Sequence, residues 1–518
     1  MANVNRRTFL KGSLTAAGAT FIVGVASRPV LGANNRVNIG VVGVGGRGGG
    51  HLGTWMGMKD VEVTWSVDVD MNRAANGRKR GLSAIVKSMA RADGITEPKL
   101  PKNASREEKD QARKEYEQKL AAYRKAAESR APKATQDIRT ALEDKELDAI
   151  SIATPNHWHT LATIWAVQAG KDVYVEKPAT HNIFEGRICT DLIARSKQIV
   201  QTGTQRRSDS HWAKMAALTR SGKLGKLLVS HGFASKPRGS IKFAKPEPPP
   251  EWLAWDIWLG PAPMQPYHRN LVHYNWHWFW DFGNGEIGNQ GVHQTDVARW
   301  AIPGATHPTR VFSIGGRIGY KDQGQTPNTQ LTVYEYGDTL MVFEVCGLVD
   351  GKTRRVSNDF LYEAGRVVDG RKFYPKDGGG KTAPLPEVDV HVFPNGNFGN
   401  FIDCVRSRKR EELNAPFLEG HYSAAICHLG NISYRLGKHV KLGSLDKPFE
   451  QDYANEAWAR LRKHLTENRK LDLGEWEGRL GLTLKFDPET EQFVGAPPAA
   501  TAMLTRNYRK PYVVPDKV

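Results

Sequence analysis

The stretch Val37-Asn38-Ile39-Gly40-Val41-Val42-Gly43-Val44-Gly45-Gly46-Arg47-Gly48 decides the fold of the first half of the chain. Its apolar first half predicts a short strand that runs directly into a glycine pattern. Gly43 permits a tight turn, Gly45 lets the backbone approach a pyrophosphate, and Gly48 lets the next helix lie close to the strand. The N-terminal N–H groups of that helix then face the phosphate, so the stretch predicts a dinucleotide site. The predicted cofactor contacts in this loop are Gly43, Gly45, Gly46, Arg47 and Gly48.

An acid at the end of the next predicted strand supports the same site. Residues 61–67 are mostly apolar and end at Asp68. A carboxylate at this point can accept both ribose hydroxyls of an adenosine, and its charge would repel a 2′-phosphate. The sequence therefore predicts NAD as the cofactor, although Arg73 nearby leaves NADP open.

The first 33 residues carry a pattern that is typical of export. Asn5-Arg6-Arg7-Thr8-Phe9-Leu10-Lys11 matches a twin-arginine signal, and a weakly apolar stretch of small residues follows it. Twin-arginine export machinery moves folded proteins, which suits a protein that takes up its cofactor in the cytoplasm. We therefore expect a periplasmic protein with a tightly bound cofactor. We also expect that the processed protein is not an integral membrane protein.

Composition excludes other classes of partner. The net charge of +18 is spread along the 518 residues rather than gathered in one basic run, so we predict no nucleic-acid partner. The four cysteines show no C-x-x-C spacing, and we predict no metal site. Buried free thiols are the expectation for a chain of this length, although Cys404 and Cys427 could pair.

The pattern of apolar residues divides the mature chain into two domains. Residues 34–205 alternate strand and helix signals, which predicts an α/β, doubly wound parallel sheet of the Rossmann type. A charged helical insertion interrupts it at about 84–134, with a capping box at Ser105-x-x-Glu108. Residues 206–484 predict a C-terminal α/β domain with an open, mostly antiparallel sheet. Residues 485–518 predict a strap across the surface.

Two polar clusters follow predicted strands of the first domain. Thr154-Pro155-Asn156-His157-Trp158-His159 comes after one strand, and Glu176-Lys177-Pro178 comes after the next. Ligands bind at the carboxyl ends of strands in open α/β sheets, so both clusters are candidates for the cofactor and the reacting group. A helix-start turn and a surface lysine remain the structural alternatives. The predicted contacts are Thr154, Pro155, Asn156, His159, Glu176 and Lys177.

A third cluster lies in the second domain. Trp276-His277-Trp278-Phe279-Trp280-Asp281-Phe282-Gly283 is followed by Asn289, His293 and Asp296 on a predicted helix. Stacked aromatic rings beside polar groups suit a sugar ring, and His293 can act as a general base. A core aromatic cluster and a structural histidine are the alternatives. The tentative substrate contacts are Gln205, Arg206, Trp278, Trp280, Asp281 and Asp296.

Taken together, these residues resemble the glucose–fructose oxidoreductase / inositol dehydrogenase / MocA (Gfo/Idh/MocA) family. The resemblance covers residues 34 to about 440 and is strongest at the Gly43 loop, Thr154-Pro155, Glu176-Lys177-Pro178 and Gly288 to His293. It implies a Rossmann domain and a C-terminal domain whose open sheet often serves as a subunit interface. A homo-oligomer, a dimer or a tetramer, is therefore expected.

The same resemblance implies that Lys177 is the catalytic lysine and His293 the acid/base. Family dehydrogenases usually carry an aspartate four residues before that histidine, whereas this sequence has Asn289. Either His293 works with another carboxylate, such as Asp281 or Asp296, or the chemistry differs from simple alcohol oxidation.

The expected function is therefore oxidation of a sugar, a sugar derivative or a cyclitol by hydride transfer to NAD(P). The alternative is a glycosidase, a lyase or a sugar–sugar oxidoreductase that recycles a tightly bound NAD. A cofactor-stabilised binding or assembly protein is a third possibility, which the presence of both Lys177 and His293 disfavours.

Overall fold

The structure is a computed structural model that describes residues 36–518. The predicted export signal over residues 1–33 lies outside the described residues. Within residues 36–518, no helix combines the length and the apolar character that a membrane span would require. All four cysteines are buried free thiols.

A six-stranded, fully parallel sheet forms the first half of the described chain. Its strand order is β3-β2-β1-β4-β5-β6, which is the doubly wound order with a switch point between β1 and β4. The carboxyl ends of all six strands point to one edge, where the polar clusters of the sequence meet. The strands are β1 (Val37–Val42), β2 (Val61–Val67), β3 (Lys133–Thr135), β4 (Ala149–Ile152), β5 (Asp172–Val175) and β6 (Val200–Thr202).

Helices cover both faces of this sheet, and the charged insertion packs beside it. The predicted helix of the insertion is present, and its Ser105 and Glu108 form the expected capping box. Tyr116 and Leu120 are buried against Val86 of the preceding helix, so the insertion is a two-helix arm with an exposed outer face. The helices are α1 (Gly46–Gly57), α2 (Met71–Ala92), α3 (Arg106–Glu128), α4 (Ile138–Leu142), α5 (Asn156–Gln168) and α6 (Ile183–Arg195).

The second sheet has eleven strands and is mixed. Only β7 and β10 pair in parallel; its other pairs are antiparallel, as the sequence predicts. The strands are β7 (Leu227–Ser235), β8 (Arg310–Gly316), β9 (Thr329–Tyr336), β10 (Thr339–Cys346), β11 (Arg355–Tyr362), β12 (Gly365–Val368), β13 (Lys372–Pro375), β14 (Lys438–Lys441), β15 (Glu477–Leu480), β16 (Leu484–Asp487) and β17 (Gln492–Val494).

Helices pack on both faces of the second sheet. Tyr334 and Phe343 face one apolar core, whereas Val333 and Val342 face another that includes Trp458. The second face is therefore partly covered by this chain itself, which reduces the area left for a subunit interface. The helices are α7 (Ser210–Ser221), α8 (Trp255–Leu259), α9 (Val292–Trp300), α10 (Gly396–Ser407), α11 (Phe417–Arg435), α12 (Asp452–Lys463) and α13 (Pro498–Ala502).

The C-terminal residues return to the first domain. After the β16–β17 hairpin and α13, the chain crosses the helices that flank the parallel sheet. Tyr508 donates a hydrogen bond to Glu185 at 3.2 Å, and Tyr512 is buried against Trp158 and Trp165. These contacts connect the C-terminal segment to α5 and α6 of the first domain.

Candidate active site

One cavity of about 420 Å³ lies between the carboxyl edge of the parallel sheet and the second domain. It spans the ends of β2, β1, β4 and β5, a distance of roughly 14 Å at the usual strand spacing. Most of the predicted site residues meet in its wall. They are Gly43, Gly45, Gly46, Arg47, Asp68, Thr154, Pro155, Asn156, His159, Glu176, Lys177, Gln205, Asn289 and His293.

The glycine loop has the conformation that a dinucleotide site needs. Gly43 has φ +77°, in the left-handed region that favours glycine. A Cβ on Gly48 would lie 1.6 Å from the carbonyl oxygen of Gly43, so only glycine lets α1 start this close to β1. Gly45 is the residue before α1 and Gly46 carries one of the first free N–H groups of that helix; both line the cavity. The loop and the helix start therefore fit a pyrophosphate.

Asp68 lies beside this loop at the end of β2. Its two oxygens accept hydrogen bonds from the backbone N–H groups of Val44 at 2.9 Å and Asp70 at 3.0 Å. Burial raises the pKa of Asp68 to about 6, although these hydrogen bonds and the charge of Arg73 oppose the rise. The carboxylate is thus fixed against the glycine loop, where a ribose would lie.

Lys177 reaches across the cavity to the second domain. Its ammonium donates a hydrogen bond to the backbone carbonyl of Asn289 at 2.7 Å. Burial lowers the pKa of Lys177, while the carboxylates of Glu176 and Glu286 oppose the fall. A half-buried ammonium held at a strand end is available to hydrogen-bond a substrate oxygen.

His293 lies in the same part of the cavity wall. It is the second residue of α9, which directly follows a π-helical turn, Ile287–Gly291, an irregularity often found at functional sites. Burial and, to a smaller extent, the charge of Lys177 lower the pKa of His293 to about 3. Among residues 36–518, no protein group hydrogen-bonds its ring, so a ligand can reach the imidazole.

Comparison with known proteins decides the family. Residues 94–204 match the NAD-binding Rossmann fold of the Gfo/Idh/MocA oxidoreductase family, and residues 230–465 match its C-terminal alpha/beta domain. Inositol 2-dehydrogenase of Rhodococcus erythropolis is 32% identical over 311 residues, which cover 58% of this chain and 78% of that protein. The chain belongs to the Gfo/Idh/MocA family.

Two further matches are shorter or more distant. The NAD(+)-dependent scyllo-inositol 2-dehydrogenase of Bacillus subtilis is 32% identical over 99 residues, but the match covers only 19% of this chain and 29% of that protein. The WlbA dehydrogenase of Chromobacterium violaceum, solved with NADH and UDP-GlcNAcA, superposes with a TM-score of 0.50 at 16% identity. That match covers 80% of this chain and 97% of that one, and it supports the fold alone.

Glu176, the first residue of the Glu176-Lys177-Pro178 motif, lines the cavity and is held by two side chains of the first domain. Its carboxylate accepts hydrogen bonds from Arg47 at 2.7 Å and from His51 at 2.9 Å. Burial alone would raise the pKa of Glu176, but the His51 hydrogen bond and the Arg47 and Lys177 charges hold it well below its usual value. Because Nε2 of His51 donates to Glu176, its Nδ1 accepts from the Ser151 hydroxyl at 2.9 Å. Sequence reasoning did not find His51 or Ser151, since each looks like an ordinary helix or strand residue.

The loop that follows β4, from Thr154 into the start of α5, forms part of the cavity wall. The His159 ring lies between the carbonyl oxygens of Pro178, 2.6 Å away, and Thr154, 2.9 Å away. Burial lowers the pKa of His159, and the neutral ring has a single N–H that can donate to one of these two carbonyls. His159 thus connects the loop after β4 to the loop after β5. Asn156 donates to the side chain of Asn284 at 3.1 Å, which links this loop to the second domain.

Two residues that the sequence predicts to contact the substrate, Asp296 and Arg206, have other partners in the structure. Asp296 is fully buried and forms an ion pair with Arg207, at 2.9 Å from Nε, while Ser423 donates to it at 2.6 Å. It therefore cannot be the carboxylate that serves His293 directly. Arg206 stacks on Trp212, 4.8 Å from the ring centre, and does not line the cavity.

Three residues of the aromatic segment also lie outside the cavity wall. Trp278 is buried beneath the guanidinium of Arg238, and Trp280 lies beside Arg435. Asp281 is half exposed and faces Arg506 at 3.6 Å. Trp278, Trp280 and Asp281 thus do not line this cavity, whereas their neighbours Tyr274, Trp276 and His277 do. The assignment of the first three to the substrate stays a prediction.

A buried carboxylate near Lys177 was not predicted. Glu286 lies one turn before Asn289, and Arg238 donates two hydrogen bonds to it, each 2.8 Å long. The Asn289 amide lies 3.5 Å from the same carboxylate. Glu286 thus places a carboxylate three residues before Asn289, and Arg238 neutralises its charge.

Within the part of the chain that the structure describes, one group of metal-ligating side chains comes together. His307 and His421 approach one oxygen of Glu491 at 2.7 and 2.8 Å, and Arg187 donates to that same oxygen. These are hydrogen-bond lengths, and the guanidinium already neutralises the carboxylate. The group fastens the β16–β17 hairpin to α6 and α11, away from the cavity.

Proposed function

We propose that this family member oxidises a sugar, a sugar derivative or a cyclitol by hydride transfer to NAD. The observation that carries the proposal is a single cavity that contains the glycine loop, Asp68, Lys177 and His293. Its volume is that of a small-molecule site. The inositol dehydrogenases among the relatives support the substrate class.

The side chains support a simple division of roles. Bound NAD would supply the hydride acceptor. Lys177 would hydrogen-bond the reacting oxygen and stabilise the alkoxide, while the backbone carbonyl of Asn289 holds the ammonium in place. The neutral ring of His293 would accept the hydroxyl proton. As the alkoxide forms, its charge offsets that of Lys177, and the imidazole becomes a stronger base.

Native mass spectrometry of the purified protein, followed by a substrate panel, tests this proposal. We expect one dinucleotide per chain, retained because the cofactor is tightly bound. We also expect NADH absorbance to rise with some cyclitols, hexoses or nucleotide sugars. A protein that neither carries nor binds NAD(H) or NADP(H) would contradict the proposal.

A second candidate function is an internal redox cycle, in which a retained NAD oxidises the sugar, a group is eliminated or exchanged, and the sugar is reduced again. One observation favours it. His277 also lines the cavity, and its Nδ1 donates to the carbonyl of Tyr274 at 2.5 Å, which leaves Nε2 as an acceptor. Elimination requires an acid–base group besides the one used in oxidation. Multiple turnovers of glycosides without added NAD and without net NADH would support this cycle over the dehydrogenase.

We also propose that the chain is exported in folded form by the twin-arginine route and acts as a homo-oligomer in the periplasm. The Asn5 to Lys11 pattern supports the export route. Cell fractionation of the wild type and of an Arg6→Lys, Arg7→Lys variant tests it. Retention of the variant alone in the cytoplasm is the expected result.

Replacing Asp68 with Asn is expected to weaken the preference for NAD over NADP roughly tenfold, because one negative charge beside the 2′-phosphate is removed. Protonation below its pKa of about 6 should have the same effect in the wild type, so the NADP preference should rise as the pH falls. Dissociation constants for NAD and NADP between about pH 5.5 and about pH 7.5 test this.

The Asp68→Asn variant also controls for titration of the NADP 2′-phosphate, because that group itself gains a proton in this pH range. Its NADP/NAD ratio should change less with pH than that of the wild type. Equal pH dependence in both proteins would show that Asp68 does not set the preference.

A further inference from the structure

A short segment of the second domain is fastened to the first domain at two points on either side of the cofactor loops. We call residues 252–260, which include α8, the bridging segment. At its start, Leu253 forms an antiparallel bridge with Asp70, and the Ala254 N–H donates to the carbonyl of Val69 at 2.9 Å. The side-chain amide of Gln136 donates to that same carbonyl at 2.7 Å. The segment thus pairs with the residues that directly follow Asp68 at the end of β2.

The other end of the bridging segment is fastened to the start of α5. The indole N–H of Trp158 donates to the carbonyl of Ile257 at 2.9 Å, and Nε2 of His157 lies 3.0 Å from the carbonyl of Trp258. Gly260 has φ +49°, and a Cβ there would lie 2.4 Å from the ring of Trp158. This close packing fixes the segment against the loop that follows β4.

The bridging segment also forms part of the cavity wall. Ile257 and Trp258 line it from the second domain, and Ile138 and Ala162 line it from the first. The loops after β2 and β4 are those that flank an adenosine in a doubly wound sheet. A slot with apolar walls and a carboxylate at its edge suits a purine ring and its ribose.

We propose that the bridging segment forms the second wall of the adenosine pocket, so that the dinucleotide is enclosed by both domains and leaves slowly. The proposal rests on the function proposed above, because it takes the cavity to hold NAD(H). It adds Ile257 and Trp258 to the cofactor-binding residues, although neither belongs to the Rossmann domain. The chemical group recognised is adenosine, and the nicotinamide end is not involved.

Ile257→Ala and Ile257→Glu test the proposal, with NADH and ADP-ribose as ligands and nicotinamide mononucleotide as the ligand without adenosine. Dissociation of NADH, measured by stopped-flow fluorescence after an ADP-ribose chase, should be about tenfold faster in the Ala variant, from lost apolar contact. It should be faster still in the Glu variant, which places a charge in the wall of the cavity that also contains Asp68. ADP-ribose binding should weaken in parallel, whereas nicotinamide mononucleotide binding should not change.

Ile241→Ala is the matched control, since Ile241 packs against the same aromatic cluster as the bridging segment but does not line the cavity. Circular dichroism checks that each variant is folded. NADH dissociation from both Ile257 variants within twofold of wild type would overturn the inference and leave the proposed function standing. Failure of the wild type to bind NADH would overturn both.

Discussion

Replacing Lys177 with Met is expected to lower kcat by about 10²–10³-fold, the usual effect of removing one donor from a developing alkoxide. Met matches the unbranched four-atom stem of lysine and lacks only its terminal ammonium, so the charge and its hydrogen bonds are lost. NADH should still bind, because the glycine loop and Asp68 are unchanged. Single-turnover formation of NADH, measured with the best substrate of the panel, checks the chemical step directly.

The pH dependence of the residual activity gives a second readout. The charge of Lys177 lowers the pKa of His293, after the larger effect of burial. Without that charge the pKa should rise, so the acidic limb of the oxidation rate should move to higher pH. Lys133→Met, at a lysine whose side chain is 63% exposed, is the control and should match the wild type. Undiminished chemistry in the Lys177 variant with cofactor bound would remove the proposed role.

The cofactor half of the site could be predicted because its determinants are local. The strand, the three glycines and the acid at the next strand end lie within one βαβ unit, and the glycines are imposed by backbone geometry. The helix of the insertion was predictable for the same reason, since a capping box involves residues three positions apart.

Helix starts were predicted less well where backbone rather than side chains defines them. The apolar pattern of the sequence predicts a helix from His159 to Ala169, whereas α5 begins at Asn156 with Pro155 as the residue before it. Proline has a fixed φ and needs no N–H partner, so it can precede a helix without a side-chain cap. The first four helical residues, Asn156 to His159, show no helical pattern of apolar residues, because their side chains make tertiary contacts. The sequence pattern therefore did not indicate this helix start.

The sequence could not predict which aromatic and acidic side chains line the cavity, because that depends on contacts between residues far apart in the chain. Trp276 and Trp278 are two positions apart, yet one lines the cavity and the other lies under Arg238. Asp296 and Glu286 look equally available in the sequence, but Arg207 pairs with the first and Arg238 with the second. No local periodicity encodes which partner lies opposite a given side chain.

Replacing Gly48 with Ala is expected to weaken NADH binding roughly 30- to 100-fold and to destabilise the fold by about 1–3 kcal/mol. The added Cβ would lie 1.6 Å from the Gly43 carbonyl oxygen and 2.7 Å from its carbon. Backbone cannot give way as a flexible side chain can, so either α1 or the turn at Gly43 must shift. Both carry the N–H groups that would hold the pyrophosphate. Titration with NADH and chemical denaturation measure the two effects.

Gly50→Ala, one half-turn further along α1, is the matched control. A Cβ at Gly50 meets no atom within 4 Å apart from its chain neighbours and the nearby backbone of α1, so the variant should bind NADH normally. It should also be more stable by up to about 1 kcal/mol, since Ala favours a helix over Gly. If Gly48→Ala bound NADH as tightly as Gly50→Ala, the contact between α1 and the first turn would not set the position of the phosphate site. The cofactor would then have to be held mainly by Asp68 and the bridging segment.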